Sequence, residues 1–179
     1  MELRRANKND YRLIKKLYIS AFPRDERAPF FMLKKRAFQG KAEMLAAEEN
    51  GEFIGFAYAI TYRDMVYVFY LAVAKGKRGQ GYGGKILGLL KKHFEGKALF
   101  LAREQLDDKA ENIRERINRR NFYLANGFKD LPYRIREATV IYDLMSTDEE
   151  INIKDYNILI KDWAGPVLSR LVKLEVLEG

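Results

Sequence analysis

Leu71-Ala72-Val73-Ala74-Lys75-Gly76-Lys77-Arg78-Gly79-Gln80-Gly81-Tyr82-Gly83-Gly84-Lys85 is the stretch on which the fold turns. Leading into it, Met65 to Ala74 is a near-continuous apolar run that suits a central strand buried on both faces. After it, Ile86, Leu87, Leu89, Leu90 and Phe94 fall on one side of a helix. Glycines between a buried strand and an amphipathic helix let backbone N–H groups approach an anion with no Cβ in the way. The helix N-terminus adds roughly half a positive charge, and Lys75, Lys77, Arg78 and Lys85 add full ones. The segment is predicted to cradle a phosphate, against the plainer reading of a turn that merely permits tight packing.

Three phosphate motifs compete for it. Gly79, Gly81 and Gly84 match the dinucleotide fingerprint, with Glu104 about 20 residues on, where a ribose-binding acid belongs. Against this, Lys75-Gly76-Lys77-Arg78 separates the strand from the first glycine, and only antiparallel-looking strands follow. Gly79 through Lys85 also resembles a P-loop, but Ile86 stands where a Ser or Thr would hold Mg²⁺.

Further elements follow outward from this segment. Leu3 to Arg5 reads as a short strand, and Asn9 or Asp10 can cap a helix carrying Leu13, Ile14, Leu17 and Tyr18. A second helix is predicted from about Pro29 to Phe38. Glu43–Glu49 and Phe53–Tyr62 read as strands joined at Asn50-Gly51, a strong hairpin signal. Ala98–Ala102 reads as a buried strand, Glu111–Asn126 as a helix stopped by Asn126-Gly127, and Lys129–Arg136 and Ala138–Met145 as antiparallel strands. Asp155–Trp163 and Pro166–Leu177 are expected to be helical additions. The order predicts a mixed α/β sheet. Residues 1–146 form the expected domain, and 147–179 a helical C-terminal extension, with Trp163 packing it onto the core or onto a second copy in a homodimer.

Leu71 to Gly83 resembles the acetyl-coenzyme A signature of the GNAT superfamily of N-acetyltransferases: a strand, a short spacer, then Arg/Gln-x-x-Gly-x-Gly/Ala opening a helix. Arg78, Gly81 and Gly83 match it. Asn121-Phe122-Tyr123-Leu124-Ala125-Asn126-Gly127-Phe128 resembles the family's late helix, which ends Phe-Tyr-x-x-x-Gly-Phe. Both occur in family order, and the resemblance runs from Leu3 to Met145. It implies a mostly antiparallel central sheet flanked by helices, and acetyl-coenzyme A as cosubstrate. It also implies that main-chain groups of Leu71, Ala72 and Val73 pair with the pantetheine arm, while the backbone of Arg78, Gly79, Gln80, Gly81, Tyr82 and Gly83 holds the pyrophosphate. Where many members carry an asparagine that touches the cofactor, seven residues before the helix tyrosine, this chain has Arg116, which could meet a phosphate instead. The family tyrosine that points at the coenzyme sulfur falls on Tyr123.

Acetyl transfer to an amine needs a proton acceptor for the amine and benefits from an acid for the departing thiolate. Tyr123 is the candidate acid, with Arg119 and Arg120 nearby to favour tyrosinate; the plainer reading is a core aromatic. Glu104, at the end of its strand, is the candidate base, or else an ordinary edge carboxylate. Glu26 and Asp25 could attract an ammonium group, and Tyr70 could line the cleft or sit in the core. His93, the sole histidine, is expected at the surface; with no cysteine in the chain either, no metal site is expected and a cysteine-linked acetyl intermediate is excluded.

The 179 residues suit one domain, and 47% apolar composition is enough for a core without staples. No stretch reaches the roughly 18 apolar residues of a membrane span, and the first residues lack a leader's apolar run. The expectation is a cytoplasmic enzyme with no membrane partner. A net charge of +8 and the cluster Arg114, Arg116, Arg119, Arg120 keep nucleic-acid binding as the rival class. It is not expected, because the aromatics sit in apolar strands rather than among those arginines.

Overall fold

The structure is a computed structural model that describes residues 1–24, 26–137, 140–168 and 174–178. The chain divides into two compact units, Met1–Thr61 with Val68–Glu95, and Tyr62–Tyr67 with Gly96–Gly179. Asp25 lies outside the described residues.

The first unit contains β1 (Glu2–Arg5), α1 (Asp10–Ala21), α2 (Phe30–Phe38), β2 (Glu43–Glu49), nearly all of β3 (Glu52–Tyr62), most of β4 (Met65–Val73) and α3 (Tyr82–His93). β2 pairs antiparallel with both β1 and β3, and a bulge beside Ala47 shifts the second register. Asn50 (φ 53°) and Gly51 (φ 78°) both adopt the left-handed backbone that a tight hairpin turn demands. Ile14, Leu33, Phe56, Tyr58 and Leu87 are fully buried, so α1, α2 and α3 each press an apolar stripe on the core. Gly55 marks a close approach: a Cβ there would lie 2.4 Å from the Ala72 carbonyl oxygen, so only hydrogen fits.

The helix start differs from expectation. Asn9 is the cap residue of α1 but its side chain makes no capping bond. Asn7 Oδ1 accepts from the Asn9 N–H at 2.8 Å, and Asp10 Oδ2 accepts from the Asn7 N–H at 2.7 Å. Asp10 is buried and takes both Arg4 guanidinium nitrogens, at 2.7 and 3.1 Å.

The second unit holds β5 (Ala98–Glu104), α4 (Ile113–Ala125), β6 (Lys129–Glu137), β7 (Val140–Ser146), α5 (Ile153–Leu168, interrupted at Gly165) and β8 (Leu174–Glu178). β5 pairs parallel with Met65–Tyr67, the start of β4, and antiparallel with β7; β6 pairs antiparallel with β7 and β8. The strand order is β1-β2-β3-β4-β5-β7-β6-β8, a mixed and mostly antiparallel sheet. Tyr67 stacks on Phe100 at 4.9 Å, and Tyr156 of α5 meets both edge-on at 5.4 and 5.6 Å. With Leu159, Ile160 and Trp163 also buried, the tail packs on its own unit. Thr147 is bound to Leu99 in both directions, at 2.9 and 3.0 Å.

One expectation is corrected. The helix read over Pro166–Leu177 does not extend to its end, because Leu174–Leu177 lies in β8 and pairs with Arg134–Glu137. Leu and Glu are good helix formers, but the free edge of β6 offers ladder hydrogen bonds that local propensity cannot match. The C-terminal extension is therefore helix plus strand.

The Arg4 guanidinium, opposed by burial, holds the Asp10 carboxyl below its ordinary value. A depressed carboxyl contributes stability above the unfolded value of about 4 and loses it as pH falls through the folded one. Asp10→Asn should cost about 1–3 kcal/mol at neutral pH, and the gap from the parent should close as denaturant melts are carried below pH 4.

Candidate functional site

The loop that leaves β4 is shaped by backbone rather than by side chains. Lys75–Lys77 forms one tight turn, and then Gly79 (φ 74°) and Gly81 (φ 78°) take left-handed conformations. Each would cost an L-residue about 1–2 kcal/mol. A Cβ built on either meets nothing within 4 Å, so the glycines serve the backbone and the space they face is open. Gly81 is the cap residue of α3, and no side chain caps that end. The first-turn amides of Tyr82, Gly83 and Gly84 therefore have no intrahelical partner, and the positive end of a twelve-residue helix is exposed there.

Side chains brace this loop. Arg78 Nε donates to the Val73 carbonyl at 3.1 Å, and Gln80 Nε2 to the Gly76 carbonyl at 3.0 Å. Tyr82 donates its hydroxyl to Glu49 at 2.6 Å; that bond pushes the phenol up and holds the Glu49 carboxyl down. Lys77 pairs with Glu52 at 2.7 Å, and Lys85 reaches Glu49 at 3.7 Å. Of the four flanking cations, Lys75 and Arg78 are thus left without an acidic partner among the described residues. Leu71, Ala72 and Val73 lie beyond the stretch of β4 paired with β5, which ends at Tyr67.

Within the second unit, α4 brings the other candidates to one place. Tyr123 lies in the last turn, half-buried, with Phe122 at 5.1 Å and Phe128 at 5.6 Å. Its hydroxyl has no hydrogen-bond partner among the described residues. Burial pushes the phenol up, and Arg119 pulls the other way more weakly. Arg119 thus acts in the expected direction, but burial outweighs it, and both arginines have carboxylate partners: Arg120 pairs with Asp130 at 2.6 Å and Arg119 with Glu104 at 3.1 Å. At neutral pH Tyr123 keeps its proton.

Glu104 is held at both oxygens. Arg116 Nη2 lies 2.9 Å from Oε1 and Arg119 Nη1 3.1 Å from Oε2. Arg116 further donates to the Gln105 carbonyl at 2.7 Å and to Asn112 Oδ1 at 2.8 Å. The residue read as a phosphate contact therefore fastens α4 to the end of β5, with Asn112 as the orienting partner that no local pattern announced. Arg103 was also missed: buried in β5, it pairs with Asp130 at 2.9 Å and Asp143 at 3.0 Å.

Tyr70, in the first unit, is buried and acts as a clamp. It donates to the Glu26 carbonyl at 2.9 Å and accepts from the Ala28 N–H at 3.1 Å, fixing the chain between α1 and α2. His93 sits near the surface, 3.1 Å from Glu43. Among the described residues no cluster of His, Cys, Asp or Glu could hold a metal, and no helix is long and apolar enough to cross a membrane.

A family model described as the Acetyltransferase (GNAT) domain matches residues 40–130, from just before β2 to the start of β6. The chain belongs to the GNAT acetyltransferase family. Solved GNAT folds agree in architecture. A GNAT-family acetyltransferase from Bacteroides thetaiotaomicron superposes with a TM-score of 0.73 at 22% identity, covering 94% of this chain and 99% of that one. An aminoglycoside 6'-N-acetyltransferase complexed with coenzyme A gives 0.64 at 14% identity, over 85% and 99%. The ribosomal-protein-S18-alanine N-acetyltransferase from Escherichia coli gives 0.62 at 17%, over 84% and 94%. No curated protein is significantly similar in sequence.

Two glycines of this GNAT chain should respond oppositely to the same methyl group. Gly81→Ala should lose about 1–2 kcal/mol through its left-handed backbone. Gly88→Ala, on the exposed face of α3 with open space around it, should gain about 0.5–1 kcal/mol. Denaturant melts of both variants check the contrast.

Proposed function

We propose that the chain moves the acetyl group of acetyl-coenzyme A to a primary amine by direct attack in a ternary complex, the acceptor being a small molecule or a peptide or protein amine. The observation that carries this is the uncapped start of α3 behind Gly79 and Gly81, a row of amides that no side chain caps among the described residues of a GNAT chain. Family membership and the coenzyme A complex of a structural neighbour support the choice of anion. Acetyl-coenzyme A supplies an activated thioester.

In this reading the backbone of residues 78–83 holds the pyrophosphate, and Leu71–Val73 offer main-chain groups to the pantetheine arm. Arg78 already occupies the Val73 carbonyl, which leaves the remaining polar groups of that stretch. Tyr123 gives a proton to the departing sulfur; burial keeps that proton in place until negative charge builds nearby. Glu104 takes the amine proton once Arg119, the more exposed of its two arginine partners, releases Oε2. Tyr70 acts on the acceptor side through the Glu26–Ala28 segment it clamps.

Calorimetry and an amine panel test the proposal. Acetyl-coenzyme A should bind and raise thermal stability, NAD and ATP far less, and Gly81→Glu should abolish binding in a folded chain, since a carboxylate would sit before the amide row. Tighter binding of NAD would overturn the reading in favour of a dinucleotide protein. With an acceptor in hand, Tyr123→Phe should lower turnover by about a hundredfold while coenzyme affinity holds. Glu104→Gln should lose most where the amine is protonated and recover as pH rises; wild-type turnover in the Tyr123 variant would make that residue a packing group.

A further inference from the structure

The chain's positive charge is concentrated. Of its 33 basic and 25 acidic residues, ten and three lie between Lys8 and Lys41, so the rest is close to neutral. Asp10, one of those three acids, is already paired with Arg4 from outside the segment. The segment is essentially α1, α2 and their connection, and its outer face is apolar as well as basic. Phe31 is 73% exposed and Phe38 93%, two turns apart on α2, with exposed Lys34 and Lys35 between them. Met32 and Leu33 bury the opposite side of the helix, so the core has no use for either ring. On α1, Leu13 and Ile19 are exposed beside Arg12, Lys15 and Lys16. Lys34 Nζ lies 4.7 Å from the centre of the Tyr11 ring, which joins the two helices into one surface.

We propose that this α1–α2 surface docks on an anionic lipid bilayer, with Phe31 and Phe38 entering the boundary between headgroups and acyl chains and the lysines lying at the phosphate level. Basic residues interleaved with projecting apolar ones are the pattern of interfacial helices. Three observations select this occupant. A second copy of the chain would present the same positive charge across a two-fold axis, and like charges repel. Leu13 and Ile19 offer nothing for a nucleic-acid base to stack on, yet partition favourably into acyl chains. The exposed cations between and beside the rings are mostly lysines, point charges suited to diffuse anionic headgroups rather than to reading base edges. Surface docking needs no spanning helix, and it stands independently of the transferase reading.

Flotation of the full chain with vesicles tests this. Phosphatidylcholine vesicles containing about one third phosphatidylglycerol should retain the protein at least about tenfold better than pure phosphatidylcholine, and less as salt is raised. Lys34→Glu with Lys35→Glu should cut retention by about tenfold or more. Phe31→Ser with Phe38→Ser should remove the fraction that survives high salt; all four positions are exposed, and thermal melts confirm that the variants fold. Failure to bind anionic vesicles, or phenylalanine variants that bind like the parent, would overturn the proposal. So would tighter, phenylalanine-dependent binding of a single-stranded oligonucleotide, or a dimer in sedimentation that Phe38→Ser dissolves.

Discussion

Backbone amides at the start of a helix have to be met by something, and α3 begins with none of the usual answers. Left-handed turns at Gly79 and Gly81 swing the chain out of β4 and into the helix without placing a Ser, Thr, Asp or Asn at the cap. The neighbourhood is arranged around that omission. Arg78 and Gln80 spend their side chains on main-chain carbonyls of the approach, and Tyr82 is pulled aside onto Glu49. The loop is braced by these bonds, and the space its glycines face is open.

The α4 region follows a different logic, with charge matched by charge. Glu104, Arg116, Arg119 and Asn112 form one network, and Arg103, Arg120, Asp130 and Asp143 a second. Between them they absorb most of the arginine cluster that would otherwise read as a nucleic-acid surface. Asp130 shows the balance: burial pushes its carboxyl up, but Arg120 and Arg103 together hold it below the ordinary range. Tyr123 stands apart from both networks, flanked by rings, which is why burial dominates its behaviour.

What could be read from residues alone was what depends on near neighbours. The Met65–Val73 run, the Asn50-Gly51 turn and the glycines before α3 carry their meaning within a few positions, and the strands and turn appeared where expected. The partners of Arg116 and Tyr70 were not legible. Arg116 meets a carboxylate one element earlier, and the Tyr70 hydroxyl bonds a segment more than 40 residues back. Similarly, nothing within Leu174–Glu178 announces a strand; its ladder exists because β6 has an edge to offer. Local periodicity identifies elements, whereas pairing decides what their polar groups and edges do.

The place of β8 also bears on how the chain matures. Every residue of the first unit precedes position 96, so its strands and helices can assemble as soon as that length has been made. The second unit must hold β6 with an open edge until residues 174–178 arrive to pair with it, about 40 positions later. During synthesis that edge is a strand template waiting for its partner, and it is there that a nascent chain would be captured by a chaperone or by a neighbouring copy.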